Sequence, residues 1–566
     1  MTAAERLAEL AARYWSFECA EFPFAAIQAS VATDAVAVFR DSAEDHARRD
    51  GAAGDFLAEL DGIATAGLSP QERATHALLR QELENIRTEY AVSASLRPWL
   101  LPVGPDFNTI FFANSAVLGT LESAGLYVER LRAFPRFLAD VQGNLRAGHA
   151  KGIRYPWAVL QAAAANTRGI ARQAPAESGW YGAFKRATLR GDRFDALAVQ
   201  ALSVIETMII PAMHAFADLI DGPLMAGARS NLSCIDAPDG RAYYDWSVRR
   251  FTTTAMTPED IHALGLAEVA RLETEVAALA ADNGFAGDVS GYRKRIADDR
   301  SFIPESQDAL RRSLESLCKR VDKRIPAFFG RIPRSTYGVD IVPEAVSAAL
   351  PPAYAQPAPA DGSGPGIFWA NGILAKCPSY LYPALVVHEA WPGHLMHLAV
   401  LQELDHLPAF RRYGAVKYTA YIEGWALYCE RLGVEMGIYQ QPHEHYGRLE
   451  MEMWRACRLV VDTGIHLHDW SRDQAIAYMR ERLALDDATI AGEVDRYAAF
   501  PGQALAYQIG NIRIRDLRAR AEAALGDRFS IRDFHDAVLT AGAVPLDVLD
   551  MLVEDWLARE TGRLAA

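Results

Sequence analysis

Cysteine is scarce in this 566-residue chain: Cys19, Cys234, Cys318, Cys377, Cys429 and Cys457 stand far apart and form no C-x-x-C pair. Such sparse usage reads as buried thiols in a reducing compartment, so the expected location is cytoplasmic. Positive charge is also in deficit, with 58 Lys+Arg against 72 Asp+Glu and a net charge of −14. That balance argues against nucleic acid or an anionic membrane as partner. No uninterrupted apolar run reaches the ~18 residues of a membrane helix. The N-terminal stretch from Met1 to Trp15 is a charged helical pattern without the apolar segment of a secretory signal. Nucleotide and serine-hydrolase chemistry lack a foothold as well. Gly362-Ser-Gly-Pro-Gly366 has Ile367 where a dinucleotide fingerprint needs glycine and Asp361 where a nucleophile elbow needs one, and there is no P-loop.

What remains is an ordinary globular composition, 50% hydrophobic and 23% charged, long enough for a large core or for lobes that share one cleft. Most of it reads as helix. Residues 2–15 are amphipathic, 69–90 open on Ser69-Pro70-Gln71-Glu72, and Thr257-Pro258-Glu259-Asp260 starts the clearest helix, stopped at Asn283-Gly284. Residues 115–150 read as two helices broken near Phe134-Pro135. Residues 156–174 read as a buried Ala-rich helix, 192–221 as one or two helices ending near Gly222-Pro223, and 305–325 as a further helix. The segment 241–252 is open between a short strand and a lead-in loop. Residues 350–366 are a Pro/Gly-rich loop, and Gly366–Asn371 reads as a short strand whose edge either packs or is offered to a peptide.

Histidine placement is the strongest signal. Eight of the 14 histidines (388, 394, 397, 406, 443, 445, 466 and 468) fall within 81 residues, where an even spread predicts about two. The segment Leu385–His397 delivers the pair His388-Glu389 from an apolar run, then Pro392-Gly393, then His394 and His397. Neutral imidazole is a good zinc ligand, and an adjacent carboxylate can act as base on a water. The spacing departs from H-E-x-x-H. Six residues along a regular helix set His388 and His394 about 120° and ~9 Å apart, too far to share a metal. Pro392, however, has no N–H for the His388 carbonyl, so the turn Ala390–Gly393 must bulge for the two rings to meet. A straight helix there would refute the pairing. His397 is either a substitute ligand or a supporting group. On Tyr421–Glu430, Glu423 and Glu430 share one face of an apolar helix. Carboxylates are costly there unless paired or metal-bound. Glu423, beside Gly424, is the better third ligand, and Glu430 either orients a ligand histidine, pairs with an arginine or is solvated.

His388-Glu-Ala-Trp-Pro-Gly-His394, Glu423-Gly-Trp-Ala, Val461-Asp-Thr-Gly-Ile-His466 and Pro501-Gly-Gln-Ala-Leu-Ala-Tyr507-Gln-Ile-Gly510 resemble the DUF885 family, a largely uncharacterised bacterial family of zincin-like proteins expected to be metallopeptidases. Thr252–His262 and Arg532–His535 fit too, so the resemblance spans almost the whole chain. It departs at Leu395 and His397, which stand where the family commonly has histidine and glutamine.

The resemblance implies a mainly α, gluzincin-like protein with a deep cleft and a small β element beside the metal-binding helix. Residues 1–240 would form an N-terminal helical lobe and 241–566 the catalytic lobe of one family-length unit. It implies one Zn2+ held by His388, His394 and Glu423. Glu389 would be general acid–base, and Tyr507 and His466 would donate to an oxyanion by analogy with helical gluzincins. The expected substrate is a peptide or small amide. The rivals are a metal-dependent hydrolase of non-peptide amides or esters, and a metal-binding scaffold without turnover. Arg458 and Arg496 are weaker candidates for binding a substrate carboxylate.

Overall fold

Helix starts follow a local rule that the sequence states openly. Thr2 with Glu5, Ser69 with Glu72 and Thr257 with Asp260 each exchange side-chain and backbone hydrogen bonds across the first turn. Each box satisfies two of the donors that a helix N-terminus leaves unpaired. The structure, a computed structural model, describes residues 1–22, 39–102, 104–114, 116–342, 344–347, 350–362 and 364–562. Among these described residues the architecture is mainly helical with one small sheet.

Several helices fall where expected: Ala3–Glu21, Pro70–Ala91, Trp157–Ala171, Pro258–Asp282 and Gln307–Asp322. Three readings need correction. Leu121–Ala150 is a single helix with Pro135 inside it. Phe134, Phe137, Leu138 and Val141 bury one stripe through the proline, and tertiary packing outweighs the lost backbone bond. Gly240–Thr252 is a helix, not a strand or loop, because Tyr243, Tyr244, Ser247, Val248 and Phe251 recur at helical spacing and are buried. Ala353–Gln356, inside the Pro/Gly-rich stretch, is a strand.

The helix Asp192–Leu224 is continuous, with π-helical turns at Ile205–Ile209 and Ile220–Leu224. By length and composition it is long and apolar enough to cross a membrane. Glu206, His214 and Asp218 interrupt its apolar run, and Val204, Ile205, Ile209 and Met213 pack in a core with Leu131 and Leu138.

The sheet comprises β1 (Tyr337–Ile341), β2 (Ala353–Gln356) and β3 (Gly366–Ala370), in the order β1-β3-β2. β3 is parallel to β1, pairing Val339 with Phe368, and antiparallel to β2, pairing Ala355 with Phe368. Both edges of β3 are therefore occupied, and this strand has no edge to offer a peptide. The largest core contains residues from Leu7 to Val553 and so runs across residue 240. The helices Thr419–Glu435 and Ala506–Leu525 cross tightly within it, since a Cβ on Gly424 would lie 2.4 Å from the Gly510 Cα.

Candidate metal centre

The helix Tyr382–Glu389 is buried along its whole length, and its apolar residues Ala384–Val387 carry His388 and Glu389 into the interior. Its ladder ends with the Ala390 N–H donating to the Val386 carbonyl at 2.9 Å. The backbone then leaves helical geometry at Ala390 (ψ −128°) and at Gly393 (ψ −132°), across a cis Trp391–Pro392 bond. A new helix starts at His394. The turn is thus a full break between two helices, a stronger distortion than the bulge expected. Two contacts hold it. The Trp425 Nε1–H donates to the Pro392 carbonyl at 2.9 Å, and Gly393 packs so closely that a Cβ there would sit 1.9 Å from the His388 carbonyl oxygen. Only glycine fits that approach.

The break removes the angular mismatch. The His388 and His394 rings stand 4.8 Å apart between centroids, at 89°. Their Nε2 atoms lie 3.6 Å and 3.4 Å from the same Glu423 oxygen, Oε2. One ligand atom from each of the three residues falls within 4.8 Å of the others, the only group of three or more such ligating residues among the described residues. The Glu423 side chain is 20% exposed against 3% for His388, so the group opens on the carboxylate side.

Glu430, one face-repeat along from Glu423, meets the other ring nitrogen. His388 Nδ1 lies 2.8 Å from Glu430 Oε1, and a carboxylate only accepts, so Nδ1 carries the proton and Nε2 faces Glu423. This is the orienting role among the alternatives for Glu430. Burial alone would lower the His388 pKa. Hydrogen bonds to Glu423 and Glu430 outweigh that and hold it up at about 9. Burial would likewise raise the Glu423 pKa, yet His394 and His388 hold it well below the usual carboxylate range. Two carboxylates thus face the one His388 ring, Glu423 at Nε2 and Glu430 at Nδ1. Two imidazole nitrogens and one carboxylate are also the donor types zinc takes, so the residues present fit that ion.

The remaining expected residues divide. Glu389 follows His388 directly and is 7% exposed. Tyr507 is half-buried one turn before Gly510, where its helix meets the Glu423 helix. Its hydroxyl is 3.5 Å from Arg496 Nη2, and its ring centroid is 4.5 Å from Arg458 Cζ.

His466 must be corrected. It is buried, its Nδ1 accepts the Cys234 N–H at 3.2 Å, and its Nε2–H donates to the Tyr497 carbonyl at 3.0 Å. Both nitrogens are spent on main chain, leaving nothing for an oxyanion. His397 is not part of the converging group either. It is fully buried against Tyr421, and neither ring nitrogen has a hydrogen-bond partner among the described residues.

Sequence reasoning passed over two carboxylates. Asp462 accepts from the Tyr244 hydroxyl at 2.7 Å and from the Gly502 N–H at 2.9 Å, fixing the turn that leads to Tyr507. Its place inside Val461-Asp-Thr-Gly was the available signal. Glu493 binds both Arg458 and Arg496 and had no signal beyond its distance of three residues from Arg496.

The group thus comprises two buried histidines and a half-buried glutamate, with Glu389 directly after the first histidine. The chain belongs to DUF885, a family described as bacterial protein of unknown function, whose profile matches residues 25–553. No curated protein matches the chain. Among solved structures it is similar to "the putative lipoprotein from Colwellia psychrerythraea", with 26% identity, 99% of this chain and 100% of that chain covered, and a TM-score of 0.92. It is also similar to "a putative lipoprotein of unknown function from Shewanella oneidensis", with 16% identity, 96% and 99% coverage and a TM-score of 0.70, a likeness of fold alone.

Proposed function

We propose that the chain is a zinc-dependent hydrolase, a metallopeptidase that cleaves short peptides in a zincin-like cleft. The observation that carries this reading is the convergence of His388, His394 and Glu423 within 4.8 Å, across a helix break that their spacing requires. When bound, a zinc ion supplies Lewis acidity to the substrate carbonyl and to an attacking water. The protein groups do the rest. Glu389 takes the proton of the attacking water and returns it to the leaving nitrogen. Tyr507 donates its hydroxyl hydrogen to the oxyanion as the carbonyl carbon becomes tetrahedral. Glu430 keeps the His388 ring in the tautomer that presents Nε2.

We place the chain in the cytoplasm, where a reducing environment preserves its six free thiols. Both similar solved structures are of proteins described as lipoproteins, and fractionation of expressing cells decides the location of this chain. The test of function is metal analysis joined to a peptide-library assay. One zinc per chain, with cleavage lost on chelation and restored by zinc, is the expected result. Absence of stoichiometric metal in protein purified without chelator overturns the reading. Cleavage of esters or acyl amides but not peptides moves the substrate class and leaves the metal centre standing.

A further inference from the structure

We propose that Arg458 and Arg496 form a subsite for a substrate carboxylate, so that the hydrolase acts on short peptides at a free C-terminus. This inference rests on the hydrolase reading for its chemistry, but its binding prediction stands apart from turnover.

The argument starts from charge. Two guanidinium groups face one carboxylate. Glu493 Oε2 accepts from Arg458 Nε at 3.2 Å and Nη2 at 2.8 Å, from the Tyr497 hydroxyl at 2.7 Å and from Trp454 Nε1 at 3.2 Å. Its Oε1 accepts from Arg496 Nη1 at 3.1 Å. The carboxylate is saturated, yet one positive charge of the cluster is left over. The Arg458 side chain is only 4% exposed, and its Nη1 is buried with no hydrogen-bond partner among the described residues; Arg496 Nε is in the same condition, while Arg496 Nη2 donates to Gln503 Oε1 at 2.6 Å. Buried guanidinium nitrogens without a partner recur elsewhere in the chain, at Arg411 and Arg448 for example, so the excess of charge, two guanidinium groups on one carboxylate, is what sets this pair apart. Guanidinium groups with spare directed N–H bonds suit a second carboxylate, which arginine binds in a fork. Arg496, with its side chain 20% exposed, gives such a group a way in.

Position supplies the second part. Tyr507 lies against both arginines, its ring under Arg458 and its hydroxyl toward Arg496, and its helix crosses the Glu423 helix one turn later at Gly510. From the other side, Arg455 Nη2 is 3.9 Å from the Glu430 oxygen that holds His388, and Arg458 follows Arg455 by three residues on the same helix. Two independent contact paths therefore join the arginine pair to the metal centre. A peptide held by its terminal carboxylate at the pair would present a carbonyl near its C-terminus to Glu389 and Tyr507.

Calorimetry with the full chain as purified, and again after chelation, tests the subsite. The probes are N-acetyl-alanine, its primary amide and an amide-capped glutamate. N-acetyl-alanine should bind at least tenfold more tightly than its amide, and Arg496→Gln should erase that preference while leaving thermal stability within a few degrees. Tighter binding of the capped glutamate than of N-acetyl-alanine would assign the subsite to an acidic side chain and overturn the C-terminal assignment. Equal binding of acid and amide, binding of neither, or a preference that survives in Arg496→Gln overturns the subsite. Arg458→Lys, which keeps the charge and loses the fork, should reduce the preference without abolishing it. Loss of metal-dependent cleavage with the acid preference intact would sink the hydrolase reading alone. Metal-dependent cleavage of free and amidated peptides at equal rates would sink the C-terminal subsite alone.

Discussion

Two pairs of buried histidines separate sharply by what their ring nitrogens meet. His388 and His394 turn Nε2 toward one oxygen of Glu423, at 3.6 Å and 3.4 Å. His466 and His535 meet neutral groups instead: the Cys234 N–H and Tyr497 carbonyl for one, the Phe328 carbonyl and Tyr428 hydroxyl for the other. Burial lowers the pKa of both His466 and His535 to about 3, whereas the carboxylates around His388 reverse that effect. All four are buried imidazoles in one protein. Burial therefore says little about role, and the charge of the partners says most.

The widest predicted gap lies between the two pairs in catalysis. Glu389→Gln, beside His388, should lower turnover by about a thousandfold or more with metal content unchanged, the range lost with a general base. His466→Gln should keep turnover within about threefold, because this ring is not a donor to the reaction; an oxyanion donor would cost about 100-fold or more. Steady-state rates on one peptide, with metal analysis of each variant, compare them directly. Full activity in Glu389→Gln, or collapse in folded His466→Gln, would erase the distinction. Next in size is Glu430→Gln. An amide can still accept from Nδ1 but brings no charge, so zinc affinity should fall about 10- to 100-fold, read by competition with a chelator. Unchanged affinity would reduce Glu430 to a packing partner.

The convergence of His388, His394 and Glu423 was legible in the sequence. A proline at 392 and a histidine two positions late together demanded a distorted turn, because the geometry of six helical steps left no other way to join the rings. Glu423 and Glu430 were visible as carboxylates on one apolar face. The role of His466 was not legible: its partners come from Ser233–Cys234 and Tyr497, far away in sequence, and no local pattern announces main-chain groups. The same holds for the fold. Boxes such as Thr257 with Asp260 fix helix starts locally, but Pro135 stays within a helix and Gly240–Thr252 is helical because of packing against distant residues. The central position of β3 likewise depends on two strands whose pairing no local signal states.

Acid titration sharpens the comparison at smaller scale. His466 has a folded pKa of about 3, below the ~6.5 of an unfolded histidine. Above pH 6.5 the ring is neutral in both states, and the wild type holds its full advantage over His466→Gln. As pH falls below 6.5, the unfolded chain takes up a proton that the folded chain refuses until about pH 3. The wild type then loses stability that the variant, lacking the group, does not lose. The stability gap between the two should narrow by about 1 kcal/mol from pH 7 to pH 5.5, measured by urea unfolding at each pH. A gap that stays constant would mean that His466 is not held neutral.

His397 belongs to neither pair, and it gives the smallest effect. It is three residues from His394, fully buried, and its two nitrogens have no hydrogen-bond partner among the described residues. Desolvation, followed by the charge of His394, lowers its pKa to about 3, so it remains neutral and contributes packing against Tyr421 without a bond to offset its burial. Leucine is of similar volume and carries no polar atom to leave unsatisfied. His397→Leu should therefore leave zinc stoichiometry at one per chain and raise unfolding stability by about 1 kcal/mol, the cost usually attached to an unpaired buried polar group. Loss of zinc in this variant would make His397 a supporting group of the centre. A fall in stability would mean that its ring nitrogens are paired in solution, and either result would move it into one of the two classes that partner charge defines.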